Sequence, residues 1–144
     1  LFDVADAPRP DPDTPAPPRF LPEFDNVFLS HAARDHIVAP EVGWVGRITV
    51  ERAMRKLLVD GFVAGEWAVD PPVPVTTVSA DGSGGEGGTV TLTIRPYRAL
   101  SRDEEEQVTA EGARLLRLVA AGGSHDIRFT APAPPERARA WNPE

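Results

Sequence analysis

The sequence contains no cysteine. That excludes a disulfide framework, a thiolate zinc site, an iron–sulfur cluster and a cysteine nucleophile. Lysine is nearly missing too: Lys56 stands alone against fourteen arginines. With Ala, Gly and Pro abundant, this bias reads as GC-rich coding, so arginine abundance is not a sign of phosphate recognition. No apolar run approaches the roughly 20 residues of a membrane helix. The expectation is a cytoplasmic protein with no membrane partner. Basic residues are in deficit, 15 against 22 acidic, for a net charge of −7. Such a surface repels phosphate backbones unless its basic residues are segregated. The chain opens at Leu1 with neither an initiator Met nor a basic and apolar leader, and it reads as a piece of a longer polypeptide.

At 144 residues the chain is one domain in size. Residues 1–19 carry six prolines, at 8, 10, 12, 15, 17 and 18. Proline fixes its own φ and biases its predecessor toward extended geometry, so this stretch reads as a stiff connector from a preceding region. Residues 20–130 form the expected domain, and the Pro- and Ala-rich residues 131–144 a flexible tail.

Within 20–30, Phe20, Leu21, Phe24, Val27, Phe28 and Leu29 recur at spacings of three and four. This predicts a short helix starting near Pro22, with Phe24, Val27 and Phe28 inward. Residues 35–38 read as a brief extended piece. Asp60-Gly61 between two apolar runs predicts a type I′ hairpin with strands over 55–59 and 62–69, because both turn residues need positive φ. Residues 89–94 alternate at period two, with Val90, Leu92 and Ile94 facing a core and a hairpin partner expected in the "VTTVSA" segment. The Gly-rich loop between those two strands lacks a lysine and a following helix, so it reads as a hairpin tip and not a phosphate cradle. Ser101 and Glu104 make a capping box for a long amphipathic helix that Gly122-Gly123 ends, with Val108, Gly112, Leu115, Leu116 and Val119 on one face. Ile127 and Phe129 mark a last strand. Together these predict an α+β domain: a curved or barrel-like, mostly antiparallel sheet of about five or six strands covered by one long C-terminal helix.

Few residues invite chemistry. His31 and His36 lie five apart, off the spacing of helical zinc motifs, so no metal and no cofactor are expected. Ser30, His31 and Asp25 include the residue types of a hydrolytic triad, but nothing resembles a nucleophile elbow. Glu23 and Asp25 are two apart and would not face the same side of a helix, so helix capping is the favoured reading over paired-carboxylate chemistry. Arg47, Arg52, Arg55 and Lys56 are opposed only by Glu51, and they are the candidate phosphate contacts, with Trp44 near enough in sequence to stack or pack beside them.

The blocks "RFLPEFDNVFLSHAARD", "LLVDGFVAGEW" and "TVTLTIRPYRALSRDEEEQVTAEGARLLRLVA" resemble, in that order, the C-terminal part of the bacterial winged-helix DNA-binding domain family that includes the DNA glycosylases conferring azinomycin resistance. The resemblance spans about residues 1–129. It implies tandem winged-helix units that embrace duplex DNA, and excision of alkylated or crosslinked purine nucleotides. The glycosylase motif of that family, Gln-x-Gln or Gln-x-Asp, lies in its N-terminal region. The one glutamine here, Gln107, lies inside the acidic helix, so the motif is absent from this chain.

The resulting expectation is a non-catalytic C-terminal domain of a winged-helix, glycosylase-like protein. It would help shape a DNA cleft, with duplex DNA and the N-terminal winged-helix region as its partners. Asp25, Asn26, His31 and Arg34 would form a polar network at the seam with that region. The rival is a structural or protein-interaction module with no DNA contact; a hydrolase built on His31 stands third.

Overall fold

The computed structural model describes residues 7–9, 11, 13–30, 36–42, 55–70, 89–120 and 123–133. The expected VTTVSA strand, the Gly-rich loop, the terminal tail from 134 on, Trp44 and Trp141 lie outside them.

Five strands form one open sheet in the order β1 (Arg19–Leu21), β2 (Lys56–Val59), β3 (Phe62–Asp70), β4 (Thr89–Pro96), β5 (Ser124–Phe129). The α+β expectation holds, with a sheet that does not close into a barrel. The β2–β3 turn has φ of 51° at Asp60 and 78° at Gly61, the positive pair a two-residue hairpin requires. Pairs β1–β2, β2–β3 and β3–β4 are antiparallel, and β4–β5 is parallel. Parallel neighbours need a long crossover. Here α2 (Arg102–Val119) supplies it.

The segment expected to pair with β4 lies outside the described residues; over residues 91–94, β4 has β3 along one edge and β5 along the other. One correction concerns residues 20–30. Phe20 and Leu21 lie in β1, paired with Leu57 and Lys56, and α1 (Asn26–Leu29) is a single turn. Phe24 and Val27 are exposed, at 54 and 52%, not inward. The helical periodicity failed because a strand partner some 35 residues away in sequence captured Phe20 and Leu21. Residues 36–38 form a turn and not an extended piece, followed by a 3-10 turn at Pro40–Val42.

The sheet has two differently built faces. On one, Leu57, Val59, Val69, Leu92 and Ile94 meet Val108 and Leu116 of α2. Each fully buried aliphatic of this kind is worth about 1.5–3 kcal/mol relative to exposure. The capping box forms: Ser101 Oγ accepts from Glu104 N at 3.2 Å, and Glu104 Oε2 accepts from Ser101 N at 2.7 Å. On the other face, Ile37 and Val38 cover Leu58, Val63 and Tyr97, and Ile37 O accepts from Val63 N at 2.8 Å.

Gly112 sets how closely α2 approaches. A Cβ there would stand 2.7 Å from Leu92 Cδ2 and 3.4 Å from Ile127 Cδ1, and Leu92 is fully buried with no room to retreat. Replacing a mid-helix glycine gains at most about 1 kcal/mol of propensity. Overpacking costs about 1–3 kcal/mol, and a β-branched side chain lies at the upper end. Gly112→Val is therefore expected to lower unfolding stability by about 1–2 kcal/mol in a denaturant titration, with an unchanged or higher midpoint refuting the close approach.

Candidate nucleic-acid interface

The sequence-predicted residues fall into two groups. His31, Arg34, Arg47 and Arg52 lie outside the described residues. Asp25, Asn26, Arg55 and Lys56 are placed, and they do different things.

Asp25 is the N-cap of α1, its Oδ1 accepting from Val27 N at 2.8 Å. Asn26 opens that turn, and its carbonyl accepts from Ser30 N at 2.9 Å. The capping expected of this pair of acids is performed by Asp25 alone; Glu23 instead reaches Arg55, Oε1 to Nε 3.4 Å.

Arg55 immediately precedes β2, and its carbonyl accepts from Trp67 N at 3.2 Å, which sets the two residues opposite each other. Its guanidinium lies 5.0 Å over the Trp67 ring. Trp67 in turn meets Phe20 edge-on at 5.5 Å and donates from Nε1 to Leu21 O at 3.0 Å. The indole thus ties β1 to β3 across β2, and Arg55 rides on it with part of its surface open to solvent. A cation above an aromatic face gains roughly 0.5–1 kcal/mol at such a site.

Lys56 points to the opposite face and is buried. Its Nζ donates to Tyr97 Oη at 2.8 Å and approaches Glu66 Oε2 at 3.4 Å. Tyr97 Oη donates to Glu66 Oε2 at 3.1 Å, and Arg95 Nη2 binds Glu66 Oε1. Glu66, Arg95 and Tyr97 were missed by sequence reasoning. The register explains why. Val59 pairs with Phe62 and Leu58 with Val63, but Leu57 pairs with Gly65, so Ala64 is an extra residue on β3. Without that bulge Lys56 would face Gly65, and Glu66 would turn into the α2-covered core. With it, Lys56, Glu66 and Arg95 lie side by side across three strands. A buried carboxylate that lost these partners would be strongly destabilising, by about 3–5 kcal/mol.

Elsewhere the arginines are largely matched with acids: Arg98 with Glu104, Arg102 with Glu106, Arg114 and Arg19 with Glu111, and Arg128 with Asp126. The Arg98 guanidinium holds the Glu104 carboxyl down to about 2, with the Ser101 backbone helping against some desolvation. His125 Nε2 lies 2.7 Å from Ala120 O beside the end of α2. Among the described residues no group of three His, Asp or Glu could hold a metal ion, and no helix is long and apolar enough to cross a membrane.

Chemically, the Glu66 cluster holds a fold together and offers no vacant group. The surface formed by Arg55, Trp67, Glu23 and the 22–27 corner offers a cation on an aromatic platform next to exposed apolar side chains.

Tyr97 is the chain's one tyrosine. Burial pushes its phenol up from 10.0 to about 12, against a smaller opposing pull from Arg95. A raised folded value favours the protonated phenol in the native state. Its contribution is therefore complete below pH 10 and is lost as the pH climbs from 10 toward about 12. Tyrosinate absorbance reports this residue alone, and its midpoint is expected near 12 with the fold intact; one near 10 would mean the phenol is not enclosed.

The family model described as DNA glycosylase AlkZ-like matches residues 1–118, which takes in the whole surface around Arg55 and most of α2. No curated protein and no solved structure matches the chain.

Proposed function

The chain belongs to the AlkZ-like DNA glycosylase family, and from that premise we propose that it is a non-catalytic domain forming one wall of a DNA cleft, with a winged-helix region of the same polypeptide opposite it. The observation that carries this reading is the family match over a chain with a single glutamine. Gln107 lies on the exposed side of α2, among acids, remote in kind from a paired-glutamine glycosylase motif. Among the described residues, the surface around Arg55 offers a cation on an aromatic platform, and its nearby carboxylate Glu23 is paired with that cation.

In this reading Arg55 and the neighbouring Arg47 and Arg52 contact the phosphate backbone, while Lys56 anchors the strand that carries them. Asp25 and Asn26 shape the corner beside it, with His31 and Arg34 following in the same block of sequence. Residues 1–19 connect to the winged-helix region, and the folded unit is 20–130.

A specific observation favours the rival reading, a structural or protein-interaction module. Most described arginines are matched with carboxylates, and the net charge is −7. Binding of a labelled duplex, followed by anisotropy at low and moderate salt, separates the two. A phosphate-contacting wall binds with a salt-dependent affinity, and Arg52→Ala/Arg55→Ala lowers the salt slope by about 1 for each arginine that touches a phosphate. Absence of binding at low salt would assign the chain to the structural class.

A further inference from the structure

Phe24 is the feature that packing does not account for. Its φ is 61°, a left-handed conformation that crowds the Cβ of any residue other than glycine and is uncommon for a bulky one. Such a conformation persists only where the surroundings over-determine it, and it recurs at ligand clamps. Nor is the ring held there by burial, for it is 54% exposed and belongs to neither hydrophobic cluster.

The residues on either side do the holding. Leu21 is fixed by its pairing with Lys56 and by the Trp67 indole, Glu23 by Arg55, and Asp25 by its cap on Val27 N. The chain therefore turns sharply at Phe24 with its flanks pinned, and the ring is left outward with Val27, 52% exposed, close by in sequence.

We propose that Phe24 is a wedge that stacks on a nucleobase of duplex DNA where a nucleotide has left the helix. This rests on the DNA-facing reading above and names the ligand of that surface. Enzymes that cut a glycosidic bond in duplex DNA must first rotate the nucleotide out of the stack. Apolar side chains such as Phe wedge between base steps in DNA-bending proteins at the cost of unstacking them, and a vacated gap offers such a side chain a step that is already open. Glu23 and Asp25 flank the ring with negative charge, which disfavours a phosphate at this point and leaves the uncharged face of a base as the matching partner. Arg55, tied to Glu23, supplies a cation for the adjoining backbone.

The test compares two duplexes of one sequence, fully paired and carrying a single abasic gap with a fluorescent purine analogue beside it. Wild-type chain is expected to bind the gapped duplex about tenfold more tightly, in line with the stacking of one base on one aromatic ring, and to change the analogue's fluorescence. Phe24→Gly and Phe24→Ala should abolish that preference while binding the paired duplex with an unchanged salt slope. Phe24→Trp should keep it. Glycine adopts a φ of 61° without strain, so Phe24→Gly is expected to melt no lower than wild type, which separates lost stacking from lost folding. Retention of the preference in Phe24→Gly overturns the proposal, as does wild-type binding without preference, and in both cases the DNA-facing reading survives. No binding of either duplex at low salt overturns both.

Discussion

The single extra residue at Ala64 decides which face of β3 every later side chain meets. Strand geometry alternates with period two, so a one-residue shift moves a whole set of side chains across the sheet. Before the bulge Val63 faces the turn at 36–38; after it Gly65, Trp67 and Val69 face the side that α2 covers, and Glu66 is delivered to Lys56 and Arg95. A carboxylate in the α2-covered core would have met only aliphatic neighbours. Placed instead between an ammonium, a guanidinium and a phenol, it ties β2, β3 and β4 together, with every buried polar side-chain atom among the described residues hydrogen-bonded. Gly65 serves the same end by its lack of a side chain, since a Cβ there would stand 2.6 Å from Arg95 O.

That shift also creates the outer surface. It sets Trp67 opposite Arg55, so that the indole can reach Leu21 O and hold the short strand β1 at the sheet edge. From β1 the chain enters the corner at 22–25, where Arg55 reaches Glu23 and Asp25 caps Val27 N. Buried charge, aromatic strut and exposed corner are consecutive consequences of one register. This is how a chain of net charge −7 comes to present a cation and an exposed ring together.

The elements that were legible in the sequence are those whose signal is local. Asp60-Gly61 and Ser101 with Glu104 act over two to four residues, and both formed as their chemistry requires. Period-two alternation gave Leu92 and Ile94 their burial. What failed depended on partners distant in the chain. Phe20 and Leu21 fit helical spacing equally well, and only the presence of β2 made them a strand. The parallel partner of β4 arises from the crossover through α2, which no short pattern encodes. The bulge left no mark beyond a glycine in "VAGEW", so Lys56 read as a surface cation when its register makes it an internal one. Phe24 was expected inward because hydrophobicity alone does not register a positive φ.

If the corner at residues 22–27 and Arg55 faces DNA while the outer side of α2 does not, amide and indole chemical shifts followed as a gapped duplex is added will separate the two surfaces. Perturbations are expected to centre on Phe24, Asn26, Arg55 and the Trp67 indole, with Arg114, Arg117 and Leu118 unmoved. Perturbations centred on those three α2 residues, or none anywhere at saturating DNA, would contradict that orientation.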